Sequence, residues 1–417
     1  MADRHWATRA YLAAGYLLPL AAPAVLKRRL ARGKEDPDRW PEKLGLGLAP
    51  RPDGPLVWLN AVGLGETLAL RGLIGRMAAA REDLRFLVTS TTSGSAAALA
   101  RQMPPRTIHQ FLPLDAPRYR RRFLDHFRPD LAVWTEQDLW PGLVADLARR
   151  GVPQAVVAAR MNAASRARHE KARALYADAY RAMGMVTAQD AESAANLALL
   201  GACDVTVTGS LKPAAPALGH DPAELSVLRH ALAGRRIWAV APSHPADEEM
   251  ALDAHALLRE SDPDALLVLA PRFPDRAGDV AAGCTMSLAR RSAQEVPRAE
   301  TAVWLFDTMG ELGLVYRLAD TALIGGTFGD TEGHSPWEAA ILDTAILHGP
   351  RTANFRDDFA RLDAAGAARE VTSAQDILAG LRATQDIRAT TEKVVEEAAA
   401  DTDRLAADLL ALLDHRA

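Results

Sequence analysis

The polar clusters that could carry chemistry in this chain each follow a short apolar run. Asn60–Glu66 (NAVGLGE) comes after Leu56–Leu59, with Gly63 and Gly65 permitting a tight turn and Glu66 landing at a helix start. A carboxylate there either complements the helix dipole or, held at a site rim, takes a proton from an acceptor hydroxyl. Thr135–Pro141 (TEQDLWP) comes after Leu131–Trp134 and brings Glu136 and Asp138, one of which could instead cap the helix after Pro141. Thr208–Pro213 (TGSLKP) brings Lys212, either a solvated surface charge or a cation that neutralises a leaving phosphate. In Pro271–Arg276 (PRFPDR), Arg272 offers a planar fork suited to phosphate or to a surface ion pair. Thr308 and Glu311 have capping-box spacing, and Ser243 reads as a cap ahead of acids in a first helical turn.

The most complete signal is Ala322–Phe355. An apolar run, Thr321–Ile324, enters a loop with Gly325, Gly326, Gly329 and Gly333, and a helix is expected to open at Ser335. Ser335 reads as its N-cap, Pro336 as its first residue, and Glu338 as the reciprocal capping acid. Free N–H groups and the positive helix end would make an anion cradle, with His334 beside it.

These clusters need rigid elements to hold them. Strand-like runs alternate with helix-like runs from Leu56 to Thr208, and again from Ile237 to His348. That alternation implies βαβ units and parallel sheets, hence two doubly wound α/β domains with ligands at the carboxyl ends of the strands. The proline-bearing stretch Lys212–Asp221 reads as the linker between them, and Ile387–Leu413 as a long helix. At 417 residues, 49% apolar and 24% charged, the chain has ample material for two cores. A net charge of −4 gives no footprint for nucleic acid, no zinc-ligand spacing occurs, and two cysteines, Cys203 and Cys284, make no disulfide framework.

Ala10–Leu26 is an uncharged apolar run, followed at once by the basic Lys27–Lys34. It is short for a spanning helix and contains Pro19 and Pro23. The trailing positive charge favours an uncleaved anchor or interfacial helix on the cytoplasmic side over a cleaved signal peptide (LAAPA) or a packing helix. The stretch Arg118–Arg122 (RYRRR) reads as a further basic rim or as a solvated helix face.

Taken together, NAVGLGE, STTSGS, FLPLDAP, TEQDLWP, AARMNAASR, VTGSLK, APRFPDR, DTMGELGLVY and EGHSPWEAA…GPRTANF resemble the 3-deoxy-D-manno-octulosonic acid (Kdo) transferases. The resemblance runs from Tyr11 to Leu362 and includes RWPEKLG at Arg39–Gly45. It implies a two-domain, inverting GT-B glycosyltransferase of family 30, with two Rossmann-like domains facing a cleft. The implied division is a membrane anchor or interfacial helix at 1–35, an acceptor-binding domain at 36–212 and a CMP-sugar-binding domain at 213–417.

The implied reaction moves Kdo from CMP-Kdo onto the lipid A precursor, lipid IVA, in lipopolysaccharide core assembly at the cytoplasmic face of the inner membrane. Carried over by motif, Glu66 would be the general base, and Glu136 and Lys212 would stabilise the transition state. Pro271, Arg272, Met309, Gly310, Glu311, Ser335, Pro336, Trp337 and Glu338 would bind CMP. No cofactor and no metal is implied, since Arg272, Lys212 and helix ends can stabilise the departing phosphate. The partners would be the lipid A precursor, CMP-Kdo and inner-membrane lipids, with no nucleic acid.

The chain departs from the family pattern in four places. Asn60 replaces a histidine, Gly63 replaces a serine, TExELWPN reads TEQDLWPG, and GGHN-PLE reads EGHS-PWE. Glu332 would repel an anionic donor if it pointed inward. These changes leave room for a GT-B enzyme using another activated sugar or lipid acceptor, and for a non-catalytic nucleotide- or lipid-binding paralogue. Retention of Glu66, Glu136 and Lys212 favours an enzyme, while the apolar N-terminus speaks against an epimerase with a soluble substrate.

Overall fold

A computed structural model describes residues 5–136 and 139–415, which form two compact units. The first comprises 1–215 together with 399–417, and the second comprises 216–398.

The first unit is a seven-stranded parallel sheet in the order β3-β2-β1-β4-β5-β6-β7. The strands are β1 (Leu56–Asn60), β2 (Arg85–Ser90), β3 (Thr107–Phe111), β4 (Leu131–Thr135), β5 (Gln154–Ala159), β6 (Met185–Ala188) and β7 (Thr206–Val207). Helices cover both faces, so successive strand residues enter opposite cores. Trp58 and Leu87 pack with Phe123, Phe127 and Trp134 on one side; Val57, Leu59, Phe86 and Val88 pack with Leu70, Leu73 and Ile74 on the other.

The second unit repeats the plan in the order β10-β11-β9-β8-β12-β13-β14. Here β8 is Ile237–Ser243, β9 Leu266–Pro271, β10 Leu288–Arg290, β11 Val303–Leu305, β12 Thr321–Ile324, β13 Ala345–His348 and β14 Ala368–Glu370. Trp238 and Val240 face one core, Ala239 and Ala241 the other. Both units thus have the expected doubly wound α/β architecture.

The expected division at 212/213 is corrected at both ends. The first unit runs on to Ala215, and it reclaims the end of the chain. The helix Thr384–Asp414 places Val394 and Ala398 in a core of the second unit, and Leu405, Ala406, Leu409 and Leu413 in a core of the first.

The N-terminal apolar run is not one helix. Trp6–Ala14 and Leu18–Leu30 are bent by 58° around the break, and no single helix among the described residues is long and apolar enough to cross a membrane. The segment is docked on its own unit. Thr8 donates to Asp178 at 2.6 Å, Tyr11 donates to Asp115 at 2.7 Å, and Ala22 and Leu26 pack with Leu44, Ala116 and Tyr119. Its outer side leaves Trp6 72%, Tyr16 68%, Leu17 67% and Leu20 82% exposed. Arg118–Arg122 is neither a uniform rim nor a fully solvated face. Arg120 is buried between Asp115 and Asp146, while Arg121 is exposed.

Candidate functional site

In the first unit the strand order reverses direction between β1 and β4, the switch point at which open parallel sheets bind ligands. Asn60 lies beside Trp134 in the register, and the Thr135 hydroxyl donates to the Asn60 carbonyl at 2.8 Å. The loops carrying Glu66 and Glu136 therefore leave neighbouring strands. Glu66 occupies the third position of the helix Leu64–Ala80, where its Oε2 accepts from the N–H groups of Val62 at 2.9 Å and Gly63 at 3.3 Å. Its Oε1 has no hydrogen-bond partner among the described residues. An added Cβ at Gly63 would approach that oxygen to 3.2 Å, so a glycine here leaves it uncovered.

Glu136 follows β4 in a left-handed conformation, φ 54°, with its N–H bonded to Val157 at 3.2 Å. A glutamate there carries backbone strain of about 1 kcal/mol or more. On the neighbouring strand Ala158 is also left-handed, φ 48°, where the β5–β6 register shifts. Asp138 lies outside the described residues. Lys212 opens the short turn Lys212–Ala214, which packs on the Glu66 helix at Gly72. Sequence reasoning overlooked the role of Asn60 in the sheet. Its Oδ1 accepts from the Thr89 hydroxyl, while its Nδ2 is buried without a partner among the described residues.

In the second unit the corresponding switch point lies between β8 and β12. Consecutive strands β11-β9-β8-β12 line up the loops bearing Met309–Glu311, Pro271–Arg272, His244 and His334–Glu338. Ser243 is not a helix cap: β8 runs on through it, and its hydroxyl donates to Glu248 at 2.9 Å. The cap of the helix Pro245–Ser261 is His244. Buried Asp247 accepts from the N–H groups of His244 at 2.9 Å, Gly326 at 2.6 Å and Phe328 at 3.2 Å, tying the glycine loop to that helix start. Burial pushes its carboxyl up, and the three donors pull it back. A Cβ on Gly325 would lie 1.9 Å from the Pro242 carbonyl oxygen, so this close approach requires glycine.

His244 and His334 share a hydrogen bond above this junction. Arg272 is exposed, lies 5.4 Å from the Phe273 ring, and makes no ion pair among the described residues. Burial first, and then the Arg272 charge among its neighbours, lowers both histidines, His334 to about 4. The pattern His-Pro-x-Asp at a strand end was the available signal for His244.

Three expectations are corrected here. Ser335 is not a cap, because the helix is the single turn Trp337–Ala340 with Pro336 before it, and the Ser335 hydroxyl is buried without a partner among the described residues. One turn makes no anion cradle. Pro336 is buried and Trp337 is a core residue, its indole donating to Asp358 at 2.7 Å. Thr308 is not a cap either; its hydroxyl bonds the Glu311 carboxylate, which Arg291 also grips at 2.6 Å. Burial would raise the Glu311 carboxyl, but these bonds hold it below the usual range. Met309 stays 70% exposed, Gly310 is left-handed at φ 88°, Pro271 is buried, and Glu338 is half-buried. Glu332 is engaged by Arg351 at 2.6 Å, so its charge is met. Among the described residues no group of three His, Cys, Asp or Glu side chains is gathered as metal ligands.

Comparison with known proteins adds relatives. A family model described as 3-deoxy-D-manno-octulosonic-acid transferase (kdotransferase) matches residues 38–215. A 3-deoxy-D-manno-octulosonic acid transferase of Bordetella pertussis is 35% identical over 350 residues, 79% of each chain. A probable mitochondrial one of Arabidopsis thaliana is 31% identical over 361 residues, 83% of this chain and 80% of its own. Among solved structures, the UDP-GlcNAc 2-epimerase of Neisseria meningitidis aligns over 85% of this chain and 99% of its own, with a TM-score of 0.55 at 14% identity, a likeness of fold.

Proposed function

Because this chain belongs to the 3-deoxy-D-manno-octulosonic acid transferase family, we propose that it transfers Kdo from CMP-Kdo to the lipid A precursor in lipopolysaccharide assembly. The observation that carries the reading is the geometry of Glu66. Two backbone donors fix one carboxylate oxygen at the switch point, and the other has no partner among the described residues. A general base needs this combination: a locked carboxylate with a lone pair left for an incoming hydroxyl.

In this reading the acceptor hydroxyl gives its proton to Glu66 Oε1 as its oxygen attacks the anomeric carbon. The bond from that carbon to the nucleotide phosphate breaks, and the configuration inverts. Glu136 and Lys212 steady the charge that develops. Arg272 and the His244–His334 pair receive the phosphate, and Met309–Glu311 with Ser335 and Glu338 border the nucleotide. Fixed positive charge supplies the leaving-group stabilisation, so the reaction is metal-independent.

The acceptor is an amphiphile, and the N-terminal segment suits such a substrate. Trp6, Leu20 and Val25 are exposed on these two helices and Tyr16 and Leu17 in the break between them, while Lys27 and Arg28 lie on the second helix and Arg32 just after it. An apolar side rimmed by cations lies along an anionic membrane surface, here the cytoplasmic face of the inner membrane, without spanning it. The test is a transfer assay with purified protein, detergent-dispersed lipid A precursor and CMP-Kdo, read by mass spectrometry. Kdo increments on the lipid are expected; folded, CMP-binding protein that yields none would overturn the proposal.

A further inference from the structure

The helix Leu64–Ala80 carries, besides Glu66, a second group with no role so far. Arg71 is half-buried, and among the described residues its guanidinium has no hydrogen-bond, ion-pair or ring partner. Burial alone holds its pKa below the usual arginine range. Arg76, five residues further on, is different: it pairs with Asp403 at 2.6 Å and donates to the Ala214 carbonyl at 3.2 Å. A guanidinium cannot shed its proton, so withdrawing one from water without a counter-charge is costly. Such a group is suited to an anion that arrives from outside.

Its position is rigid. The preceding residue, Leu70, is fully buried against the sheet. The following residue, Gly72, packs so closely that a Cβ there would lie 2.0 Å from the Ala214 carbonyl oxygen, in the turn that begins with Lys212. Arg71 stands five residues after Glu66, about 7.5 Å along the helix axis and about 140° around it, so an anion it holds lies to the side of the carboxylate rather than on it. Long side chains on a helix reach back toward its N-terminus. One rigid element thus presents a carboxylate and an uncommitted guanidinium, and packs against the lysine-bearing turn.

We propose that Arg71 is a positioning residue that binds an oxyanion of a substrate, seating the acceptor hydroxyl and the anomeric carbon for the step at Glu66. The planar fork matches phosphate and carboxylate alike. Two sources offer that chemistry: the phosphates of the glycolipid acceptor, and the anionic groups of the nucleotide-activated sugar. The proposal rests on the transferase reading above.

The experiment is steady-state transfer by wild type, Arg71→Ala and Arg71→Lys, varying each substrate in turn, with acceptor bearing or lacking its phosphates. Arg71→Ala is expected to raise one KM about tenfold or more while kcat changes less than about threefold, and Arg71→Lys to restore part of the loss. If the acceptor is the source, its dephosphorylation erases the difference between wild type and variant. If the donor is the source, the rise falls on the donor KM and survives dephosphorylation. Its melting temperature should equal or exceed that of wild type, since an uncompensated charge has been removed. Unchanged KM for both substrates overturns the proposal, and so does a lowered melting temperature with a matching loss of kcat. If wild type transfers nothing, the transferase reading fails by itself. Arg71 is then judged by calorimetric binding of CMP and of dispersed lipid A precursor. Weaker binding by Arg71→Ala upholds its role, and equal binding of both ligands overturns it.

Discussion

His244 and His334 meet Nε2 to Nε2 at 2.8 Å, their rings 12° from parallel. One nitrogen must donate and the other must accept, so the pair holds at most one proton beyond neutrality. His334 titrates near 4 in the fold against an ordinary value near 6.5, and buried His109 and His255 are lowered to about 3 and about 4. Each group binds fewer protons folded than unfolded, so its contribution is complete above pH ~6.5 and is lost as pH falls through the folded value. Thermal melts should therefore show stability dropping between pH 6.5 and 4, and His334→Gln should make that drop shallower. An equal slope in the variant would exclude His334 from the effect.

Glu66→Gln should abolish most transfer while sparing the fold. The amide oxygen can still accept from Val62 and Gly63, so the helix start survives within about 1 kcal/mol. Loss of the base should cost about 10²–10⁴ in kcat, read from product mass over time. A variant retaining wild-type kcat would remove Glu66 from the mechanism.

Arg272→Ala should weaken CMP binding roughly tenfold, because an exposed guanidinium with no internal ion pair is available to the phosphate. Arg272→Lys should recover only part, since an ammonium cannot match the bidentate fork. Calorimetry with CMP gives both values, and the melting temperature should not move. Unaltered affinity in the alanine variant would place the phosphate elsewhere.

Exhaustive dialysis against a chelator should leave the transfer rate within about twofold if, as proposed, Arg272 and Lys212 supply the charge that a metal would otherwise provide. Restoration of a lost rate by added Mg²⁺ would contradict the metal-independent reading.

Leu17→Glu with Leu20→Glu should release the protein from anionic vesicles while leaving its melting curve unchanged, both side chains being well exposed. Raised salt should weaken wild-type binding to the same vesicles through the Lys27–Lys34 cluster. Retention of the double variant on vesicles would point to another attachment surface.

The strands that position the site were legible because both faces of each are buried, which gives unbroken apolar runs. The apolar runs Leu56–Leu59, Leu131–Trp134 and Thr321–Ile324 all lie within observed strands, the first two of which run one residue further. The edge strands Leu288–Arg290 and Ala368–Glu370 were not legible, for three residues carry no periodicity. Capping motifs misled at Ser335 and Thr308. The spacing of hydroxyl, proline and acid is local, but whether a helix grows from it depends on tertiary contacts such as those that bury Trp337. Glu66 and Arg272 could be singled out from strand-end position alone. Arg71 could not, because its lack of a partner is a property of the packed structure, and the sequence shows only one more arginine on a helix.

The C-terminal helix has a consequence for biosynthesis. Val57, Leu59, Ala155 and Val157 share a core with Leu405, Ala406 and Leu409, which leave the ribosome after the whole of residues 216–398. The first unit cannot close in chain order. Its sheet waits with an apolar side uncovered while the second unit is made and folds. The nascent protein is therefore at greatest risk of aggregation late in its synthesis, when almost all of it already exists.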